Sequence, residues 1–167
     1  VASVGGIHAD LTPGRLVIPD QIIDYTYGRE FTYFGDRDQR VRHIDFTLPY
    51  SQPTRALLLR AAEHANEAVV EGGVYAATQG PRLETAAEIN RLEREGADMV
   101  GMTGMPETAL PRELALNYAA IAVVANYAAG RVTNVTTIQL KEIYEILEKA
   151  MIDVRNILEH VVSCYGD

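Results

Sequence analysis

Short apolar runs alternate along this chain with longer segments of helical periodicity. The opening residues VASVGG read as the end of a strand entering a glycine turn, and Pro13-Gly14 marks another turn. Leu16 to Ile23 (LVIPDQII) reads as a strand, with Pro19 marking its end or a bulge. Val74 to Thr78 and Met99 to Met102 are further short strands. Tyr118 to Val124 (YAAIAVV) is almost wholly apolar, as a strand buried on both faces should be. Four helical segments accompany these runs. After Pro53, the positions Leu57, Leu58, Ala61, Ala62, Ala65 and Val69 recur at helical spacing up to Gly72-Gly73. Glu84 to Glu95 points Ala87, Ile89 and Leu92 inward and stops at Gly96. The last and longest helix carries the stripe Ile143, Ile146, Leu147, Ala150, Val154, Ile157, Leu158 and Val161. Thr136 and Gln139 have capping-box spacing at its start. Pro106-Glu107 forms a normal helix start. Asp24 to Tyr50 has no clear period and is expected to be a long loop region, which at that length is usually functional.

Alternating strands and helices predict an α/β protein of three layers, α/β/α, around a mixed, largely parallel sheet. With 167 residues, one domain is expected. The net charge of -8, from 15 Lys+Arg against 23 Asp+Glu, argues against a sequence-blind nucleic-acid binder, though not against a small anionic substrate. The single Cys164 can form neither an internal disulfide nor a multi-Cys zinc site, and a cytoplasmic protein is the simplest reading. No apolar stretch is long enough to span a bilayer, and no signal peptide is visible. The chain opens at Val1 without Met and with no element before its first strand, which reads as a fragment or a renumbered chain in preference to an ordinary processed N-terminus.

In open α/β sheets, ligands sit beyond the carboxyl ends of strands, which singles out four loops. Ser3-Val4-Gly5-Gly6 is either a plain turn or a close backbone approach to an anion. Glu84, after Thr78-Gln79-Gly80-Pro81-Arg82-Leu83, is either a first-turn charge or an acceptor for a ring N–H. Met102 and Thr103 offer core filling, or a flat contact for a sugar and a hydroxyl for phosphate or ribose. Asn126 is either a turn residue bonded to its own backbone or a donor-acceptor pair at the sheet's rim.

Taken together, the segments GVYAATQGPRLETAAEI from Gly73, GADMVGMTGMPE from Gly96 and YAAIAVVANYAAG from Tyr118 resemble the nucleoside phosphorylase family. The opening VASVGGIHADLTPGRLVIPDQIIDYT and HIDFTLPY from His43 resemble it too, so the likeness covers nearly all of the chain. The branch resembled holds methylthioadenosine, methylthioinosine and trimeric purine nucleoside phosphorylases. The resemblance implies a phosphorolysis: inorganic phosphate attacks the anomeric carbon and the purine leaves as an anion. Phosphate is then a co-substrate, and neither a metal nor an organic cofactor is implied. A homotrimer is implied as well.

The resemblance also assigns roles. Ser3 lies where the family contacts phosphate, while Ala2 replaces the Thr or Asn common before it. Met102 matches the Met under the ribose, and Thr103 the hydroxyl beside phosphate and sugar. Leu83 stands where an aromatic usually meets the base, and Glu84 matches the Glu that holds N1–H of 6-oxopurines. Adenine-type members carry Asp at the positions of Asn126 and Ala128. An amide at Asn126 can donate to N7 or O6, which favours a 6-oxopurine. Ile138 falls near the usual 5′-pocket histidine and suits a methylthio group better than a hydroxyl. His43 matches a His that reaches a neighbouring subunit's site in trimeric relatives, and is otherwise a surface loop residue.

These features point to S-methyl-5′-thioinosine as substrate, with inosine or guanosine as competitors. Methylthioadenosine or general purine nucleoside phosphorolysis is the alternative, and a catalytically silent oligomerisation or purine-binding fragment is the reading from another class. Family members carry a further N-terminal part with a Gly-rich phosphate loop, an Arg-His pair and the first strands of the sheet. Without that part, weak or no activity is expected. Pro111 falls about five residues into the helix expected from Pro106, where it should cost roughly 3 kcal/mol or break the helix.

Overall fold

The computed structural model describes residues 1–35, 40–132, 134 and 140–164. Seven strands form one mixed sheet: β1 (Ala2–Gly6), β2 (Leu16–Ile18), β3 (Gln21–Asp24), β4 (Val69–Glu71), β5 (Val74–Ala77), β6 (Met99–Gly101) and β7 (Ala122–Tyr127). Their spatial order is β3-β5-β6-β1-β7-β2-β4. Four neighbour pairs are parallel, and β1–β6 and β2–β7 are antiparallel. The helices are α1 (Gln52–His64), α2 (Ala86–Arg94), α3 (Ala109–Glu113) and α4 (Leu140–Cys164). The largely parallel mixed sheet with flanking helix layers is the arrangement expected from the sequence.

Alternation along the strands sorts the core into three clusters. Val4, Val17, Tyr75, Met99, Ala122 and Val124 pack against one another on one face of the curled sheet. Their sequence neighbours Leu16, Ile18 and Val123 meet Leu58, Ala61 and Ala62 of α1 and Ala150, Val154 and Ile157 of α4. At the other flank, Ala76 and Val100 meet Ile89 and Leu92 of α2. The helices therefore cover the outer face on two sides, while the inner face closes on itself.

The curl is built where the chain switches from one flank to the other. The expected strand Leu16 to Ile23 is two strands, broken at Pro19-Asp20, with β2 beside β7 and β3 beside β5. Its parallel partner breaks at the same level, at Gly72-Gly73, between β4 and β5. Both glycines have positive φ, and the two breaks are stitched together: Gly72 N donates to Ile18 O at 2.9 Å and Gly73 N to Asp20 Oδ1 at 2.7 Å. Buried Arg55 of α1 caps the crossing by donating to Pro19 O at 2.9 Å.

Other expectations shift. The helix pattern does not reach Val69: α1 ends at His64 and Val69 begins β4. Asn66 takes the left-handed conformation, with its N–H bonded to Glu63 O and that of Glu67 to Ala62 O, a Schellman stop. Gly96 ends α2 in the same way, as expected. Ala87 and Leu158 are exposed rather than inward. The last strand is Ala122–Tyr127, later than Tyr118 to Val124. The helix expected from Pro106 starts at Ala109, so Pro111 sits in its first turn, where a missing N–H forfeits no intrahelical bond. The cap expected at Thr136 and Gln139 lies outside the described residues.

Candidate functional site

A cavity of about 270 Å³ opens at the ends of β6 and β7, beside β1. It lies just under the roughly 300–1,000 Å³ of ordinary small-molecule sites, so it suits a small ligand rather than a polymer. Seven residues singled out from the sequence line it together: Ser3, Leu83, Glu84, Met102, Thr103, Asn126 and Ala128. They come from four separate segments, which only the sheet order brings into contact.

Asn126 owes its place to a bulge. Val4 of β1 pairs with Val124, but the next residue, Gly5, pairs with Asn126. Ala125 is the extra residue. Strict alternation would put Asn126 on the inner face with Val124. The inserted residue moves it to the face of Gly5, Val100 and Ala128. Its Nδ2 donates to Tyr127 O at 2.6 Å, which uses one of its two amide hydrogens, and among the described residues the other has no acceptor. Gly5 keeps this wall thin: a Cβ there would lie 3.4 Å from Ala128 Cα and 3.5 Å from Val100 Cγ1.

Glu84 stands before the helix rather than in its first turn. The N-cap is Thr85, whose hydroxyl accepts from Glu88 N at 3.1 Å while Glu88 Oε2 accepts from Thr85 N at 2.8 Å, a complete capping box. The role of first-turn charge thus belongs to Glu88. Arg82 grips Glu88 with two hydrogen bonds and, with help from the Thr85 N–H, lowers that carboxyl to about 2. Glu84 is instead held by the Thr78 hydroxyl, which donates to its Oε1 at 2.6 Å.

Met102 and Thr103 follow β6 and are placed by what lies behind them. Gly80, at positive φ, leaves room for the Met102 sulfur directly over its Cα, where no Cβ could fit. Tyr75 is buried among the inner-face residues, and that burial pushes its phenol pKa upward. The neutral phenol accepts from Thr103 N at 3.3 Å, with Thr103 Oγ1 at 3.4 Å. Ser3 and Thr103 are exposed hydroxyls, and Leu83 is 42% exposed. Among the described residues no Lys, Arg or His lines the cavity.

Ile143 of α4 lines the cavity as well. The sequence showed it only as part of an apolar stripe, which is the signature of core packing. Tyr75, hidden in a strand, carried no signal either. His43 does not join this cavity within the chain; it borders a separate depression with Phe31, Phe46 and Met105. Ile138 lies outside the described residues. Among the described residues no helix is long and apolar enough to cross a membrane.

Comparison with known proteins adds the following. The family model described as "Phosphorylase superfamily" matches residues 1–163. A probable S-methyl-5′-thioinosine phosphorylase of Pseudomonas syringae pv. tomato is 50% identical over 163 residues, which are 98% of this chain and 65% of that protein. A probable 6-oxopurine nucleoside phosphorylase of Thermococcus kodakarensis is 40% identical, with 97% of this chain and 62% of that protein covered. Among solved structures, methylthioadenosine phosphorylase from Schistosoma mansoni in complex with adenine superposes with a TM-score of 0.92 at 29% identity. That match covers 99% of this chain and 64% of the other. The chain thus spans a little under two thirds of the length of these relatives. Its match to the family model along nearly the whole sequence, and its fold, establish that the chain belongs to the phosphorylase superfamily.

Proposed function

We propose that the protein carrying this chain splits 6-oxopurine nucleosides with inorganic phosphate, and that S-methyl-5′-thioinosine is its preferred substrate. The products are hypoxanthine and 5-methylthioribose 1-phosphate. A phosphate oxygen forms the new bond to the anomeric carbon, and the bond from that carbon to N9 breaks with its electrons moving into the purine. In this reading the free Nδ2 hydrogen of Asn126 donates to N7 or O6 of the departing base, where negative charge develops. Glu84 accepts from N1–H, Leu83 and Ala128 wall the base, and Met102 lies under the sugar. Ser3 and Thr103 offer hydroxyls to phosphate, whose charge needs cationic donors beyond those lining this cavity. Ile138 and His43 are assigned to the 5′ end, the latter across a homotrimer interface, in a cytoplasmic enzyme that uses no other cofactor.

The observation that carries the reading is the meeting of Asn126, Ala128 and Glu84 around one small cavity. An amide and a methyl stand where a 6-aminopurine site would need acids, and a site built for one hydrogen-bond pattern rejects the other. The names borne by the Pseudomonas and Thermococcus relatives point the same way. The Schistosoma neighbour binds adenine, which makes methylthioadenosine the second substrate to test. Competition between methylthioinosine, inosine and methylthioadenosine, followed by phosphate-dependent base release, decides. The highest kcat/KM is expected for methylthioinosine. A preference for methylthioadenosine overturns the reading of Asn126, and no phosphorolysis of any purine nucleoside overturns the function.

A further inference from the structure

We propose that Thr78 is a positioning residue that sets base affinity by fixing one oxygen of Glu84; this rests on the functional reading above. Thr78 does not line the candidate cavity, and Glu84 stands between it and that space. The Thr78 hydroxyl has one hydrogen and two acceptors in reach: Glu84 Oε1 at 2.6 Å and Gly101 O at 3.3 Å. The shorter contact is to the charged oxygen, as charge-assisted bonds are. Among the described residues Glu84 Oε2 has no donor, so it is the oxygen left for a ring N–H.

Thr78 itself is braced at both ends of its peptide. Its N–H donates to Gly101 O at 2.8 Å, which ties it to the strand that delivers Met102 and Thr103. Its carbonyl accepts from Arg29 at 3.3 Å. The same guanidinium donates to Gln79 O and Gln79 Oε1, each at 3.1 Å, and to Met105 O. Arg29 thereby clasps the loop bearing Glu84 to the loop bearing Thr103. The hydroxyl that aims Glu84 is consequently fixed relative to the sugar side of the cavity. Valine at position 78 keeps the shape and removes the hydrogen bond; serine keeps the bond and removes a methyl group.

The test compares Thr78→Val, Thr78→Ser, Glu84→Gln and the double variant Thr78→Val/Glu84→Gln in the whole protein. Kinetics with methylthioinosine and calorimetric binding of hypoxanthine are measured beside thermal denaturation. Thr78→Val is expected to raise KM and the hypoxanthine Kd about tenfold, the worth of one hydrogen bond to a charged group, with kcat changed less. Thr78→Ser should restore both, and Thr78→Val should add little on top of Glu84→Gln because the two act through one contact. Unchanged Kd in Thr78→Val, an equal loss in Thr78→Ser, or full additivity with Glu84→Gln overturns the proposal. Wild-type protein that binds hypoxanthine without phosphorolysis overturns the functional reading, while calorimetry still decides on Thr78. Wild-type protein that does neither overturns both.

Discussion

Gly5 of β1 faces Asn126 across the parallel pair, one residue further along β7 than the register at Val4 and Val124 dictates. This single inserted residue turns a side chain of the inner core face into a side chain of the cavity. A one-residue slip in a strand exchanges faces for everything beyond it, so Asn126 and Ala128 move together. The pairing of an amide with a small neighbour is therefore a property of the bulge as well as of the sequence.

Asn126→Ala should keep the fold and lower kcat far more than it raises KM. The loss expected is about 10²–10³-fold, the usual cost of removing one donor at developing negative charge. Asn126→Asp should move preference toward 6-aminopurine nucleosides, because a protonated acid can donate to N7. Steady-state kinetics on methylthioinosine and methylthioadenosine check both. An Asn126→Ala enzyme with an unaltered kcat would remove Asn126 from the chemistry.

Gly101→Ala probes the wall behind Thr103. A Cβ there would lie 2.5 Å from Tyr75 Oη and 3.0 Å from Ser3 O. Neither neighbour can yield cheaply, since one is a buried ring and the other is backbone. Overpacking of this kind costs about 1–3 kcal/mol. At roughly 2–4 °C per kcal/mol for a chain of this size, Tm should fall by several degrees. Because Tyr75 holds Thr103, KM for phosphate should rise in the same variant. A stable protein with normal phosphate dependence contradicts this account of the wall.

The Arg82–Glu88 pair predicts a pH dependence of stability. Arg82 and the Thr85 N–H bring the Glu88 carboxyl down from 4.5 to about 2. A carboxylate lowered on folding stabilises the native state above its unfolded pKa, and that gain is lost as pH falls through the folded value. The relevant window runs from about 4.5 down to about 2. Both side chains are well exposed, so solvent screening keeps the effect small. Glu88→Gln should thus melt lower than wild type at neutral pH and converge with it near pH 2. Parallel Tm-against-pH curves would show that the pair contributes nothing through ionisation.

Much of the fold was legible where local and tertiary signals agree. Val74–Ala77 and Met99–Gly101 are short apolar runs bounded by glycine, and both are buried strands as read. The split of Leu16–Ile18 from Gln21–Asp24 was less legible. Pro19 announces a break, but only long-range pairing sends the two halves to opposite flanks. β4 was missed because Val69 continues the helical spacing of Leu58 and Ala62, while the stop at Asn66 is a backbone conformation. At the site, Met102, Thr103 and Asn126 were visible as polar or soft residues at strand ends, and Glu84 as a carboxylate beside a helix start. Tyr75, Ile143 and Thr78 were not, since a strand tyrosine, a stripe isoleucine and a small hydroxyl look like ordinary structure until their neighbours are known.

Pro111 separates the sequence expectation from the structure most directly. If a helix ran on from Pro106, Pro111→Ala would restore a backbone hydrogen bond and raise Tm. In the structure α3 begins at Ala109 with Thr108 as N-cap, which makes Pro111 its third residue. The first four N–H groups of a helix have no acceptor within it, so alanine at this position regains no bond inside α3. The left-handed stop at Ala115, with Leu116 N donating to Pro111 O at 2.9 Å, uses the proline's carbonyl and leaves its ring nitrogen irrelevant. Replacing proline with alanine also frees the unfolded chain, which costs roughly 0.4–1 kcal/mol of stability. Pro111→Ala should accordingly lower Tm by a few degrees at most, and thermal denaturation that shows a rise would restore the longer helix.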